Sequence, residues 1–395
     1  MSQNNSGKLS SLLEAAKHIG RFYCKFVTAN DVGLTNAHQE GIHISKSAWG
    51  IFFQEAGTKG ENKHRIVKID IEGLYPFDSR VSYYGKGTRN EYRITRFWTN
   101  SPFDKARQLG NLIIFLPMGG DNFKVYILDT DDEIELFTQT FSLNLVNNNA
   151  VYNHGIIEEL NMSKKLEEEI EKTVLLYNDF PSTVNMATIS RAIHYKVYKN
   201  TKKNSDQLLL EWVKTEFATF RTLEKKLYQE YLTKPFLEVE PLITVANSIL
   251  NRRKSRAGQS LEHHVDFLLN SFQLPFAHPG KSEGNKKPDF LLPSNNAYSD
   301  SNYPTSSLIF LGAKTTCKDR WRQILNEANR ISEKHLLTLQ QGISANQLDE
   351  MAEEKVTLVV PEPYHKMYPA EYRDRLWTVE KFIEFAKGKY LTKEM

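Results

Sequence analysis

The sequence predicts a multidomain protein with a β-rich N-terminal half and an α/β C-terminal half. Three observations carry this. The chain runs to 395 residues, beyond the usual span of one domain. Its first 150 or so residues are short runs of β-branched and aromatic residues broken by Gly, Asn and Asp clusters. From about residue 158 the apolar period changes from that of a strand to that of a helix.

After a short helix over 8–20, the spacing predicts strands at "GRFYCKFVT" (20–28), "HRIVKIDI" (64–71), "NLIIFLPM" (111–118), "KVYILD" (124–129) and "EIELFTQTF" (133–141). Their shortness and turn-rich separators suit a small barrel or sandwich. In "IIEELNMSKKLEEEIEKTVLLY", Leu166, Ile170 and Val174 recur four apart among acids and lysines, an amphipathic helix. The polar "YKNTKKNSDQ" (198–207) reads as a loop or hinge. The expected organisation is therefore a β domain over 1–157, a helical connector and hinge over 158–205, and an α/β domain over 206–395. In the last, helices are expected at 206–232, 240–254 and 260–272, and strands at 289–293 and 307–316. A helix at 318–333, a strand at 356–361 and a helix at 378–388 complete it.

Composition excludes several classes. Hydrophobic residues at 40% and charged residues at 25% allow an ordinary core. A formal charge of +3 is nearly neutral, so any nucleic-acid argument rests on where the basic residues lie. Cys24 and Cys317 are the only cysteines, which argues against a disulfide framework and a cysteine zinc site and fits a reducing cytoplasm. No signal-peptide pattern and no stretch of 18 apolar residues occurs, so a soluble protein without membrane partners is expected.

The chemistry concentrates in "KKPDFLLPSNNAYSDSNYPTSSLIFLGAKTTCKDRWRQILNEANR" (286–330). Metal-assisted phosphodiester hydrolysis needs carboxylates to hold Mg²⁺ against the phosphate and a cation to steady the attacking water and developing charge. Asp289 and Lys314 would converge if their strands are antiparallel neighbours. The position two before the lysine, where a nuclease core of this kind carries an acid, is Gly312. On a following helix, Glu327 shares a face with Arg320 and Gln323 and could fill that vacancy. A strand-edge acid, a solvated lysine and a surface glutamate remain the plain alternatives.

Other stretches carry DNA-binding chemistry. "KDRWR" supplies Lys318, Asp319, Arg320 and Arg322; Asp accepts from cytosine N4 and Arg donates twice to guanine. Thr316 and Asp319 also fit a helix capping box. "NRRKSRAG" gathers Arg252, Arg253, Lys254 and Arg256, either a solvated helix end or a phosphate contact. "YYGKGTRNEYRITRFW" offers Lys86, Arg89, Asn90, Glu91, Arg93 and Arg96; "NDVGLTNAHQEG" offers Asp31, His38 and Gln39. His38 and His43 lack further ligands for zinc.

"ANSILNRRKSRAGQSLEHH", "EGNKKPDFLLPSNNAY" and "AKTTCKDRWRQILNEAN" resemble the catalytic domain of EcoRII-type type II restriction endonucleases. "ANDVGLTNAHQEG" and "GKGTRNEYRITRFW" resemble the N-terminal effector domain of the same family, in the same order. The resemblance implies a B3-like pseudobarrel followed by a PD-(D/E)XK nuclease domain whose acid has migrated to the next helix. It implies Asp289 and Glu327 as Mg²⁺ ligands, Lys314 as catalytic lysine, Lys318 as a second active-site or DNA-contacting lysine, and Glu262 as a flanking acid. A packing glutamate paired with Arg256 is the alternative for Glu262. Tyr298 would stack on a flipped base, with the pocket near Trp212 and Lys214 built differently from the family's. Asp319 and Arg320 would read CC/GG pairs.

The expected function is a Mg²⁺-dependent homodimer cutting double-stranded DNA at a CCWGG-like site 5′ of the first C. A cytosine methyltransferase would be its genetic partner, and a second copy of the site would bind the effector domain and relieve autoinhibition. The alternative is a non-catalytic, sequence-specific DNA-binding protein with an inactive nuclease fold.

Overall fold

In the computed structural model, residues 3–35, 41–144, 146–158, 162–199 and 203–391 are described. The chain forms two compact units: Met1–Leu160 with Gln340–Leu348 and Lys366–Arg373, and the remainder.

The first unit is built on nine strands: β1 (Arg21–Phe26), β2 (Ile42–Ile44), β3 (Asn62–Ile71), β4 (Phe77–Tyr84), β5 (Glu91–Thr95), β6 (Leu112–Pro117), β7 (Asn122–Leu128), β8 (Asn149–Asn153) and β9 (Ile156–Glu158). Their order is β2-β5-β4-β3-β7-β6-β1-β8-β9, antiparallel except for the β3–β7 pair. The helices are α1 (Gln3–Ile19), α2 (Trp49–Phe52), α3 (Phe97–Asn100) and α4 (Asp131–Phe141). Strand β1 is buried on both faces. Tyr23 enters one core with Phe52, Phe97 and Phe115, while Phe22, Cys24 and Phe26 enter another with Phe137 and Phe141. Such double burial explains an apolar run without alternation.

Residues 133–141 are helical, not the expected strand. The Thr130 side chain accepts from Glu133 N, three acids occupy the first turn, and Ile134, Phe137 and Phe141 bury one face.

The second unit has helices α5 (Lys164–Val174), α6 (Thr183–Val197), α7 (Ser205–Leu227), α8 (Gln229–Thr233), α9 (Val239–Ser271) and α10 (Asn295–Ser299), and ends with α12 (Glu362–His365) and α13 (Val379–Tyr390); α11 (Ala345–Glu353) is divided between the units after Leu348. Its sheet runs β10 (Phe290–Leu292), β11 (Ile309–Lys314), β12 (Lys334–Thr338), β13 (Val356–Val359), with β10 antiparallel to β11 and the other pairs parallel.

Four expectations change here. Helix α5, expected as a connector packing on the β domain, belongs to a core of the second unit: Leu166, Ile170 and Val174 pack with Met186, Ile193, Phe220 and Leu223. The expected break near 255–259 does not occur, and α9 runs unbroken for 33 residues. The helix expected at 318–333 is a 3-10 turn over Arg320–Asn326. Strand β12, "KHLLT", was not expected; all five residues are buried, and "HLL" carries no alternation to mark it.

Candidate active site

The antiparallel register sets Phe290 against Leu311 and so brings Asp289 beside Gly312 at the mouth of the β10–β11 pair. Asp289 Oδ2 accepts from the Ala313 amide at 2.8 Å and from the Lys314 ammonium at 2.9 Å. These are the two residues the sequence paired, and both stay partly open to solvent.

Two more carboxylates lie near enough to be perturbed by both. Burial raises the Glu262 carboxyl above its usual value, and ionised Asp289 raises it further, against Lys314 and His278. Glu327 is pushed up to about 7, by burial first and Asp289 second, with Lys314, Lys334 and Lys286 opposing. In both, burial is the larger cause and repulsion from Asp289 the second. Glu262 does not pair with Arg256, which turns instead to Glu216 at 3.9 Å and lies over Phe217 and Phe220. The His278 ring lies 3.8 Å from Glu262 through Nε2, and its Nδ1 meets the Asp289 carbonyl at 2.8 Å.

Glu327 reaches the site by a different route from the one expected. It caps the 3-10 turn in an extended conformation (φ −95°, ψ 144°), and Ala328 then turns left-handed at φ 49°. Gly312 explains the relocation. A Cβ there would meet Ile324 Cγ2 at 3.2 Å and Leu336 Cδ1 at 3.3 Å, so the space beside the glycine is apolar and filled.

The acids form a donor set suited to a hard cation: oxygen ligands only, with excess negative charge that a divalent ion would relieve. Among the described residues no group of three His, Cys, Asp or Glu side chains is placed to hold a metal ion. An open site of two carboxylates completed by water is what Mg²⁺ tolerates. Asp289 and Glu327 are the residues that could hold it.

The candidate base readers divide. Asp319 is exposed and Arg320 half-buried, and Asp319 makes no side-chain cap, so the capping reading fails. Arg322 pairs with Glu350 and lies over Trp321 at 4.6 Å, and Lys318 is buried. Tyr298 is 4% exposed; its hydroxyl bonds Glu283, and Arg330 covers its ring at 5.5 Å. In this state it offers no open face to a base. Trp212 is core, packed on Phe267 and His264.

"NRRKSRAG" lies within α9 rather than at a helix end. Arg253 bonds Glu224 twice at 2.8 Å and Arg252 covers Phe180 at 4.6 Å, which leaves Lys254 exposed.

In the first unit, Asp31 is fully buried. It accepts from Lys25 Nζ, Thr28 N, Thr28 Oγ1 and His43 N, all within 2.9 Å. It braces the fold and cannot meet a base. Arg93 is likewise buried, paired with Glu91 at 3.3 Å. Lys86, Arg89 and Asn90 sit exposed at the β4–β5 tip, joined there by Lys59, which bonds the Gly87 and Arg89 carbonyls. Arg96 is exposed. His38 and Gln39 lie outside the described residues.

The sequence reading missed His278, Glu283, Lys286, Arg330 and Lys334, which surround these groups. "HPG" and "EGNKKPD" carried the only hint, as polar clusters just ahead of Asp289.

Comparison with known proteins agrees with this anatomy. Residues 16–155 match the family described as restriction endonuclease EcoRII, N-terminal, and residues 220–383 match EcoRII C terminal. The chain is 36% identical over 402 residues to the type II restriction enzyme EcoRII of Escherichia coli, covering 96% of this chain and 97% of that one. It therefore belongs to the EcoRII family of type II restriction enzymes, with a β-rich N-terminal domain and an α/β restriction-endonuclease domain. The type II restriction enzyme SsoII of Shigella sonnei is 27% identical over 152 residues, 36% of this chain and 48% of that protein. Among solved structures, metal-depleted Ecl18kI in complex with uncleaved, modified DNA aligns at TM-score 0.44 with 19% identity, over 58% of this chain and 85% of that one.

Proposed function

We propose that this chain is a Mg²⁺-dependent type II restriction endonuclease that hydrolyses both strands of duplex DNA at a CCWGG-like site, 5′ of the first C. The observation that carries the reading is the Asp289–Lys314 contact at 2.9 Å, with Glu327 and Glu262 near enough that the charges of both residues shift their carboxyls. Asp289 and Glu327 would hold the metal, which when bound supplies Lewis acidity at the phosphate. Asp289 keeps Lys314 extended into the site. From there the ammonium orients the attacking water and meets the charge that develops on the phosphoryl oxygens. Water adds at phosphorus and one ester oxygen leaves, taking up a proton. Glu262, whose carboxyl burial raises above its usual value, holds a proton more readily than an ordinary glutamate and is suited to exchange it with solvent. Asp319 and Arg320 are the proposed readers of C·G pairs, Lys318 and Arg322 lie beside them, and Lys254 is a phosphate contact.

A homodimer fits a near-palindromic target. In support, Leu232, Leu237, Val239, Leu242, Ile243 and Leu250 leave an exposed apolar stripe along α8 and the first half of α9. The β4–β5 tip, with Lys59, Lys86 and Arg89, is the proposed contact of the N-terminal domain with a further copy of the site. Within that unit, Ala29 N bonds the Met367 carbonyl at 2.9 Å, Ala370 N bonds Leu34 O at 3.3 Å, and Gln340 bonds Gly110 O at 3.1 Å. Segment 366–373 of the C-terminal half is thus tied to the stretch that opens the 29–41 loop, and segment 340–348 to Gly110. DNA binding there would bias these ties, the step that autoinhibition requires. A cytoplasmic setting suits two buried free cysteines.

Digestion of mixed-sequence plasmid DNA with Mg²⁺ and sequencing of the ends tests the reading. Ends recurring at one CCWGG-like motif are expected; uncut DNA that is nevertheless bound at that motif would make this a DNA-binding protein without nuclease activity.

A further inference from the structure

Glu327 has no regular element to hold it: the 3-10 turn stops at Asn326 and β12 starts only at Lys334. What holds it is a set of contacts on the backbone to either side. On the near side, the Lys286 ammonium bonds the Asn326 carbonyl. On the far side, the Lys334 ammonium bonds the Ile331 carbonyl at 2.6 Å and approaches the Ala328 carbonyl at 3.5 Å. The amides between are also engaged: Ala328 N by Ser282 Oγ at 3.3 Å, Asn329 N by Glu283 at 3.2 Å, and Arg330 N by Tyr298 Oη at 3.3 Å.

Lys334 is 5% exposed, an unusual place for a lysine. Its stem lies along the sheet with the ammonium 5.6 Å from the Phe310 ring, so the charge is spent inside the loop and not on solvent or DNA. The turn it closes contains Ala328 at φ 49°, a conformation that a side-chain-bearing residue adopts only when its surroundings impose it.

We propose that Lys286 and Lys334 are positioning residues that clamp the backbone on either side of Glu327 and so set the metal affinity of the site. The inference rests on the reading of Glu327 as a metal ligand. It makes a prediction opposite in sign to simple electrostatics. Removing a lysine near a cation site takes away repulsion and should tighten cation binding. Loosening the support of a ligand should weaken it, by about 10- to 100-fold for outer partners of metal ligands.

The test is direct Mn²⁺ binding, followed by electron paramagnetic resonance on the full-length protein without DNA, well below its melting temperature. Lys286→Met and Lys334→Met should each weaken Mn²⁺ binding by about tenfold or more. Adding Ala328→Gly to Lys334→Met should recover most of the loss, since glycine accepts the left-handed turn without help. Lys286 is partly exposed, so its variant reads out even if Lys334→Met does not fold. Unchanged or tighter Mn²⁺ binding in folded lysine variants overturns the clamp, provided Glu327→Ala binds weakly. Full Mn²⁺ affinity in Glu327→Ala would instead sink the ligand assignment itself.

Discussion

Replacing Glu327 by glutamine should stabilise the metal-free protein while destroying its activity. The folded protein raises this carboxyl from its ordinary 4.5 to about 7, by burial first and by Asp289 second. At about 1.36 kcal/mol per pH unit, the full rise corresponds to roughly 3 kcal/mol. The group is partly open to water, and screening reduces this to about 1–2 kcal/mol. Below pH 4.5 the acid is protonated in both folded and unfolded chains and costs nothing. As pH rises toward 7 the unfolded chain loses its proton first, the folded state holds on to one, and native stability from this group falls. Above 7 the whole penalty is present. Glutamine has no proton to lose, so the variant should melt about 2–8 °C above the wild type at pH 8, with the gap closing toward pH 4.5. Melts in EDTA at several pH values measure it. A variant no more stable than wild type at pH 8, or a gap that ignores pH, would refute the placement of Glu327 in a crowded acidic cluster.

Asp289→Ala and Glu327→Ala should each abolish cleavage while sequence-specific binding survives in gel shifts, because neither is a proposed base contact. Gly312→Glu should not rescue Glu327→Ala in a cleavage assay, since its Cβ would press on Ile324 and Leu336 instead of facing water. Arg320→Ala should lose about 1–3 kcal/mol of discrimination at a C·G pair. Lys254→Ala should weaken all sequences and lower the salt slope of binding by about one; equal losses on specific and random DNA for Arg320→Ala would remove it as a reader. A fragment starting at residue 162, which keeps α5 on its core, should cut single-site DNA at least as fast as the whole chain, and slower cutting by a folded fragment would rule out autoinhibition.

The strands that carry the chemistry were legible because each is short and apolar with a charged residue at one end, Asp289 just before the first and Lys314 closing the second. "PDFLL" and "IFLGAK" could only converge as neighbours, and Asp289 meets Lys314 as that pairing requires. Glu327 lies near enough to Asp289 and Lys314 to be perturbed by both, but not by the route expected. Helical periodicity carried it there, whereas the structure uses a 3-10 turn and a left-handed alanine, a conformation with no spacing signature. Residues 133–141 misled because β-branched and aromatic composition outweighed the Thr130 cap and the acidic first turn. Asp31 and Arg93 looked like polar DNA contacts, and nothing in a loop-like sequence told that their partners, Lys25 and Glu91, would bury them. Lys334 stood unnoticed for the same reason: a charge satisfied by backbone carbonyls leaves no complementary residue to find.

The most direct test of the central claim is to map both cut positions on an end-labelled duplex carrying a CCAGG/CCTGG site, with an excess of unlabelled duplex supplying further copies of the site, in Mg²⁺ and in Ca²⁺. The account predicts a break 5′ of the first C on each strand, giving 5′ overhangs, in Mg²⁺ only, and none with Asp289→Ala. An intact duplex under every Mg²⁺ condition, despite a stable complex at that site, or cutting that persists in Asp289→Ala, would contradict it.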